Sequence, residues 1–565
     1  MRVEIDVGEA GGAPWASNVA ALVEPRRRRR IDWFDVGVLA VFAAISMWIL
    51  GLDLWQVIVH GRVWTGTDGV YVVDQMQYLA WIQDASHHLL SSNLFVLHPT
   101  AHDYVQPAVM ISGGLTALGV APWLSLMLWK PVAVVCAFLA VRAYCRRSLV
   151  GRWPRRAALV LSLFFGSFSI VYGSFGVAGD LFPTFLSWGY TFGLLAVAVL
   201  VFAILAYGRA RSTGRFVWVP AALGALASLL HPWQGELLIL IVLGAELLMW
   251  RNTRRLARLL LLPISTVLAT GIPLLYYMAL GKADPSWQLA REASKHTFSI
   301  WTILLAIGPL AIPAAFAYRG RSASFLTAAT RTWPFAAIAV WVLSASQVSA
   351  TPLHAFDGIT IPLAVLAVKG TQSARFYRLP RARLLGALAV AVATVPATVY
   401  LLNSARGLVA PQTGNPNFIT ADEQNALRYL ASSKQQGGVL TRFYLGTIVP
   451  ASTGRGTYVG DCLWSEPNCI QRAQDAQSLF DGAFSPQNAQ SFVLSTGARF
   501  VLADCATTVI LPQELAPITA SVTKFGCASV YEIGPPVTTN RPLAESPGNA
   551  ALRAPGRQQR RSQRS

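Results

Sequence analysis

Long apolar segments, separated by short polar ones, follow each other from about residue 31 to residue 402. Most apolar blocks hold about 17–25 residues, which is the length that a helix needs to span the hydrocarbon core of a bilayer. A soluble core does not explain such runs, because soluble helices carry a polar face along their length. The pattern therefore predicts an α-helical polytopic membrane protein.

The blocks predict about eleven transmembrane helices within a domain at 31–405. They lie at 31–54, 122–145, 156–173, 184–207, 216–231, 234–250, 257–280, 299–318, 332–349, 358–371 and 384–402. The weaker Gly-rich stretch 106–120 is predicted to be an interfacial helix. The first helix carries the chain to the outer side, so only an odd number of crossings fits before the next inner basic cluster at 142–156, and 122–145 is one span.

The distribution of Arg predicts the orientation, because cytoplasmic loops carry an excess of Lys and Arg. Arg26–Arg30 precede the first block, so residues 1–30 are predicted to be a disordered cytoplasmic tail. Each later basic cluster falls where an inner loop is required, which leaves the segment after Leu402 outside. The net charge of +19 would indicate nucleic acid in a soluble protein. Here it sits at the ends of apolar blocks, so no nucleic-acid partner is expected.

The composition changes at about residue 415, where polar and apolar residues alternate over shorter distances. Residues 420–434 read as an amphipathic helix, and 439–444, 500–503 and 529–533 read as short strands. The pattern predicts a small extracytoplasmic α/β domain at 415–536. A disordered basic tail at 537–565 is predicted to follow it.

Four of the six cysteines lie in this C-terminal segment, at 462, 469, 505 and 527. An even number of cysteines in a soluble domain outside the membrane favours disulfides. Cys462–Cys469 with Cys505–Cys527 is the most local of three possible pairings. A zinc site is the alternative, although the spacings lack a paired C-x₂-C.

Ionisable residues near the outer membrane face are the candidates for chemistry. Charges close to a bilayer are energetically costly, so those that are present often have a function. In the outer loop, Asp68 lies between glycines, and Asp74 begins a predicted helix on which Tyr78 follows one turn later. A carboxylate at that position is stabilised by the helix dipole. The alternative for Asp74 is a purely structural role as a helix cap.

Three further polar groups fall at predicted outer turns. Asp180 is the only charge in an apolar stretch from about 157 to 208. The second group is His231, Trp233 and Glu236, in which the Trp ring could stack on a sugar. The third is His354 with Asp357. All are predicted to face the same side of the membrane, so one external pocket could gather them, although loops are polar in any protein.

The segment Asp74-Gln75-x-x-Tyr78-Leu79-Ala80 resembles the Asp-Glu-x-x-Tyr segment of GT-C membrane glycosyltransferases, in particular the aminoarabinose-transferring and protein O-mannosyltransferase-like members. Gln75 departs from the acidic residue of that pattern, which argues against an acidic pair that binds a metal ion. Asp180 sits where those families often place a second Asp. The resemblance also covers the span count, the interfacial helix and an outward C-terminal domain.

The resemblance implies transfer of a sugar from a polyprenyl-phosphate donor to a glycan, lipid or protein acceptor at the outer face of the cell membrane. It implies Asp74 as general base and Asp180 as a second catalytic carboxylate. Asp68, Tyr78, His231, Trp233, Glu236 and His354 are the candidate substrate-binding residues. The leaving phosphate needs a divalent cation or a basic side chain, and no metal ligands are assigned. The basic candidates are Arg62, Lys130, Lys282, Arg291, Lys295 and His296.

Two other classes of function compete with a transferase. One is a transporter or flippase of lipids or glycans, against which stand the few charges inside the spans and the absence of a detectable internal repeat. The other is a non-enzymatic envelope assembly protein whose C-terminal domain binds a partner. Transfer from a labelled lipid-linked sugar would separate the three.

Overall fold

A computed structural model describes residues 32–166, 181–250, 256–294, 299–319, 324–345, 351–373, 381–412, 414–509 and 511–534. Several predictions fall outside these ranges. They are the two disordered tails, the second half of the span 156–173, and the residues Asp180, Lys295 and His296.

Within the described ranges, eight helices are long and apolar enough to cross a membrane. A ninth results if the helices Trp33–Ser46 and Trp48–His60, which meet at an angle of 48°, count as one bent span. The eight are Pro122–Ser148, Thr191–Thr213, Pro232–Met249, Leu260–Ala283, Ile300–Tyr318, Phe325–Ser344, Leu353–Ser373 and Ala382–Leu408. The chain is thus mostly helical with many apolar helices, as predicted. Helix length and composition identify eight or nine candidate spans among the described residues, compared with the eleven predicted.

Two predicted spans account for the difference. The block 216–231 forms the apolar helix Trp218–Leu230, whose 13 residues are fewer than the about 20 that a full span usually takes, so length alone does not count it. The block 156–173 begins as the helix Arg152–Phe164, and its second half is not described. The remaining short helices before the C-terminal segment are Val72–His88, Pro107–Ala117, Pro183–Gly189 and Pro285–Ala293.

The predicted interfacial helix 106–120 is present as Pro107–Ala117. Gln106 caps its start, because the side-chain oxygen accepts the Val109 N–H at 2.7 Å. Proline in the first turn suits this end, since the backbone N–H groups there have no partner within the helix. Eleven residues cannot span a bilayer, so the helix packs beside Val72–His88 in the outer loop.

Basic side chains gather at one end of the helix bundle. Arg142 and Arg146 each approach Asp35 at 2.5 Å, and Arg211 approaches Glu246 at 2.8 Å. Arg147, Arg209 and Arg211 line one recess there. The carboxylates offset the charge of arginines that come from different helices. Among the described residues, the arginine clusters at 142–147 and 209–211 therefore lie at the same end of the bundle.

The C-terminal segment contains a four-stranded sheet of β3 (Val439–Leu440), β4 (Phe500–Ala503), β5 (Thr519–Phe525) and β6 (Ala528–Ile533). Their spatial order is β3-β4-β6-β5. Strand β3 is parallel to β4, whereas β6 is antiparallel to both β4 and β5. Its helices are Ala421–Ser432, Phe443–Thr453, Cys469–Phe480, Pro486–Thr496 and Leu511–Glu514.

The predicted strand 439–444 ends early in the structure. Strand β3 stops at Leu440, and Arg442 is the N-cap residue of the helix Phe443–Thr453. That helix packs on the outer-loop helix Val72–His88, and Phe443 and Tyr444 are half-buried in its first turn, so tertiary packing overrides the preference of these aromatic residues for strands. Strand β5 is absent from the sequence prediction because its residues are largely exposed and show no apolar alternation.

Two disulfides link Cys462 to Cys469 and Cys505 to Cys527. The prediction of two disulfides in this segment is therefore confirmed, and the pairing is the most local of the three that were possible. Both bridges close short loops in the C-terminal segment. The remaining cysteines, Cys136 and Cys145, are free thiols in the helix bundle.

The outer loop and the C-terminal segment are joined by backbone and side-chain contacts. Strand β1 (Val63–Trp64) pairs antiparallel with β2 (Phe418–Ile419). Further along, the Thr457 N–H donates to the Leu94 carbonyl at 3.0 Å. These contacts hold the C-terminal segment over the start of the helix Val72–His88.

Candidate functional site

The helix Val72–His88 starts from a buried turn that Gln75 holds in place. The side-chain oxygen of Gln75, Oε1, accepts the Asp68 N–H at 2.9 Å. The side-chain nitrogen, Nε2, donates to the Val70 carbonyl at 2.6 Å. A carboxylate can accept but cannot donate. A side-chain amide can make both bonds and a carboxylate cannot, which accounts for Gln75 at the position where the GT-C families that this segment resembles carry Glu.

Asp74 lies half-buried in the first turn of this helix. The Tyr190 hydroxyl donates to Asp74 Oδ2 at 2.8 Å. Tyr190 immediately precedes the helix Thr191–Thr213, and its ring lies 4.9 Å from that of Tyr71. Gly189 leaves room for Tyr71, because a side chain there would strike the Tyr71 ring. The carboxylate is thus oriented by a neighbouring helix.

Tyr78 lies one turn after Asp74 on the same helix. Burial first, and then the negative charges of Asp74 and Asp357, raise the pKa of Tyr78 above its ordinary value. The hydroxyl therefore stays protonated and can donate a hydrogen bond at neutral pH. Because both carboxylates act on this hydroxyl, Asp74 and Asp357 belong to one site.

The second half of the site is a cluster of His231, His354 and Asp357. His231 Nδ1 lies 3.6 Å from Asp357 Oδ2, and His354 Nδ1 lies 3.9 Å from Asp357 Oδ1. The three ligand atoms lie within 4.8 Å of one another, and Asp357 is only 1% exposed. The predicted outer turn at His231 and the one at His354 and Asp357 follow different helices, and the fold brings them together.

This cluster has the donor set of a divalent-metal site. Burial, with the neighbouring His354, lowers the pKa of His231 well below its ordinary value. A neutral imidazole is the form that binds metal ions. Two imidazole nitrogens and one carboxylate oxygen match the ligands that zinc takes in catalytic sites. The sequence assigned no metal ligands, because these residues meet only in the folded chain.

Trp233 packs against both histidines. Its ring lies 4.8 Å from that of His231 and 4.7 Å from that of His354. The His354 ring also lies 5.8 Å from Tyr190, which holds Asp74. The aromatic side chains thus connect the Asp74 half of the site to the histidine half.

Asp461, from the C-terminal segment, is a further carboxylate at this site that the sequence did not indicate. It is 3% exposed, and its Oδ1 accepts the Leu463 N–H at 2.8 Å. Its turn packs closely on the helix Phe443–Thr453, where side chains at Gly446 or Gly460 would collide with backbone atoms. Burial and then the charge of Asp74 raise the pKa of Asp461 to about 7. The charge of Asp74 therefore acts on a carboxyl group from the other part of the chain.

We expect the substitution Asp461→Asn to stabilise the protein at alkaline pH. The folded pKa of about 7 exceeds the ordinary value of 3.8, so the stability from this proton is complete at low pH and lost as the pH rises through 7. Asn does not titrate. Its advantage should grow between about pH 4 and 7, by at most about 4 kcal/mol, and stay constant at higher pH. Thermal unfolding of both proteins across this range measures it, and a pH-independent difference would contradict the assignment.

Other predicted residues lie in different surroundings. Asp68 is buried in an ion pair with Lys130, so this carboxylate and this cation neutralise each other inside the fold. Glu236 lies half-buried in the first turns of the helix Pro232–Trp250. Arg62 and Lys282 are exposed, and Arg291 is half-buried on the short helix Pro285–Ala293.

Comparisons with known proteins bear on the fold. No protein-family model matches the sequence, and no curated protein matches it. The structure is similar to the apo oligosaccharyltransferase of Archaeoglobus fulgidus, with a TM-score of 0.51 at 13% identity, over 84% of this chain and 70% of that one. It is also similar to the oligosaccharyltransferase AglB of that organism in complex with an inhibitory peptide and a dolichol-phosphate. The TM-score is 0.50 at 14% identity, over 91% of this chain and 75% of that one.

A third similar structure is the mycobacterial arabinofuranosyltransferase AftD, with a TM-score of 0.50 at 14% identity. The match covers 88% of this chain but only 41% of AftD. All three are glycosyltransferases of the GT-C class. The resemblance to GT-C proteins that the Asp74 segment suggested is therefore confirmed at the level of the fold.

Proposed function

We propose that this protein is a glycosyltransferase that moves a sugar from a polyprenyl-phosphate donor to an acceptor at the outer face of the cell membrane. One observation carries the proposal. Asp74 is held by Tyr190 beside His231, His354 and Asp357 at the end of the bundle opposite the arginine clusters. In the fold of a glycosyltransferase, this is a place where a lipid phosphate could meet an acceptor.

In this proposal Asp74 is the general base. It takes the proton of an acceptor hydroxyl while that oxygen bonds to the anomeric carbon and the bond from this carbon to the phosphate oxygen breaks. Polyprenyl phosphate leaves with the bonding electrons. The Tyr190 hydroxyl holds the carboxylate in one orientation, which is what efficient proton transfer requires. Neutral Asp461 avoids a second negative charge beside Asp74 below about pH 7.

The leaving phosphate requires positive charge. Among the basic candidates, Lys130 is already paired with Asp68 in the interior. His231, His354 and Asp357 would hold a divalent cation, because their donor atoms converge and His231 is neutral. Such an ion, when bound, offsets the negative charge that develops on the leaving oxygen.

Substrate contacts would come from the remaining polar and aromatic groups. Trp233 offers a ring face on which a sugar can stack, and Tyr78 offers a neutral hydroxyl. Glu236 lies in the first turns of the helix that follows His231 and could accept a hydrogen bond from the sugar. The burial of Asp68 against Lys130 supports a role in shaping the outer loop instead of contacting the substrate.

The proposed orientation places the N-terminus in the cytoplasm and the C-terminal segment outside. The shared end of the arginine clusters supports it, because cytoplasmic ends of spans carry the excess of Arg. The two disulfides also support it, since disulfides persist in oxidising compartments.

A photoreactive polyprenyl phosphate tests whether the site receives the donor. We expect the purified protein to be labelled in peptides from 72–88 or 351–373, and unlabelled lipid-linked sugar to compete. The substitution Trp233→Ala should weaken labelling. Trp218→Ala is the matched control, because Trp218 is 65% exposed on another helix. Labelling that is confined to the arginine end, or equal in both variants, would contradict the proposal.

A further inference from the structure

A second group of metal-ligating side chains lies at the far end of the helix Val72–His88, away from Asp74. His88 Nδ1 lies 2.9 Å from Asp84 Oδ1, and His102 Nε2 lies 3.3 Å from the same oxygen. The two imidazole rings are 3.9 Å apart. Asp84 and His88 share a helix face because they are four residues apart, whereas His102 comes from the loop that follows.

The spacing of these atoms suits a zinc ion. All three ligand atoms lie within 4.8 Å of one another. Zinc–ligand bonds of about 2.0–2.2 Å in a tetrahedron place the ligand atoms about 3.3–3.5 Å apart. The observed 2.9 and 3.3 Å are close to this, so a small shift of two exposed rings would suffice. Imidazole ligands also favour zinc over magnesium or calcium.

The carboxylate is fixed by its surroundings in the way that ligands of metal sites usually are. Asp84 is 5% exposed, and its Oδ2 accepts the Ser92 N–H at 2.7 Å and the Ser92 hydroxyl at 2.8 Å. Asp84 Oδ1 therefore faces the two imidazoles. The side chains of His88 and His102 are 51% and 38% exposed, so an ion can enter from solvent and keep a water ligand.

We propose that Asp84, His88 and His102 bind a zinc ion, with water completing its coordination. The ion joins the loop that carries His102 to the outer-loop helix. The segment between them contacts the C-terminal segment, because Asn93 donates to the Trp464 carbonyl at 3.0 Å and Ser465 donates to the Phe95 carbonyl at 3.0 Å. The site is therefore a structural clamp, and it rests on none of the residues proposed for sugar transfer.

The proposal is tested by zinc titration of the purified full-length protein in competition with a chromophoric chelator. The number of bound zinc ions per protein is measured in the same samples. The double variant His88→Ala/His102→Ala should lose one equivalent of zinc. The matched control is His87→Ala/His98→Ala, which removes two exposed imidazoles from the same region. The variant His231→Ala reports the other histidine cluster separately. Equal zinc counts in the two double variants would overturn the proposal.

Chemical modification of the protein without substitutions avoids any effect of the variants on folding. Diethylpyrocarbonate acylates accessible imidazole nitrogens that are not bound to a metal ion. Zinc should lower the modification of His88 and His102 at least several-fold and leave that of His87 and His98 unchanged. Equal modification of His88 and His102 with and without zinc would overturn the site. Equal protection by magnesium would overturn its identity as a zinc site.

Discussion

Replacing Asp74 by Asn is expected to lower turnover by about 10²–10⁴-fold, the usual contribution of general-base catalysis. The amide keeps the size of the side chain and can still accept the hydrogen bond from Tyr190. It cannot take a proton from the acceptor hydroxyl. We therefore expect normal expression and folding with a large loss in the rate of sugar transfer by the purified enzyme.

The control for Asp74→Asn is Asp475→Asn, which removes a carboxylate from the C-terminal segment where Asp475 contacts only the side chain of Gln471 among the hydrogen bonds observed. This variant should transfer sugar at the wild-type rate. Near-normal turnover of Asp74→Asn would exclude Asp74 as the base. If Asp180→Asn then abolished turnover, the two carboxylates would have the reverse of their predicted roles.

Replacing Asp357 by Asn should lower turnover on the order of 10²–10³-fold, as expected when one group that offsets transition-state charge is lost. Asp357 lies between His231 and His354, and an amide is a much poorer ligand for a divalent cation. The number of bound metal ions should fall together with the rate. Excess divalent metal should partly restore the rate.

Glu246→Gln is the matched control for Asp357→Asn. It removes a carboxylate from the helix that follows His231, but at the arginine end, where Glu246 pairs with Arg211. Its effect should appear in thermal stability and not in bound metal. A variant Asp357→Asn that kept both its metal and its turnover would contradict the proposed role of the cluster.

Features that depend on short stretches of sequence were predictable. The length of the apolar blocks indicates membrane helices, because a bilayer sets the length of a span. The position of Asp74 at the start of a helix and the pairing of Cys462 with Cys469 are also local. The turn residues His231 and His354 were recognised as polar groups at predicted outer turns, and the structure brings them together.

Features that depend on long-range packing were not predictable. Asp461 comes under the influence of the Asp74 charge only because the C-terminal segment folds back over the outer loop. Tyr190 reaches Asp74 from another helix, and nothing in the sequence around it marks a catalytic partner. The block 216–231 is apolar enough for a span but forms only 13 helical residues, since Pro232 begins the next helix.

The most direct test of sugar transfer uses the protein reconstituted in liposomes with radiolabelled polyprenyl-phosphate sugars and cell-envelope acceptors. The account predicts that label moves from the lipid to an acceptor while an equal amount of polyprenyl phosphate is released, and that Asp74→Asn stops both. Label that crosses the bilayer but stays on its lipid would show a flippase instead. Binding without either movement would favour an assembly protein, and both results would contradict a glycosyltransferase.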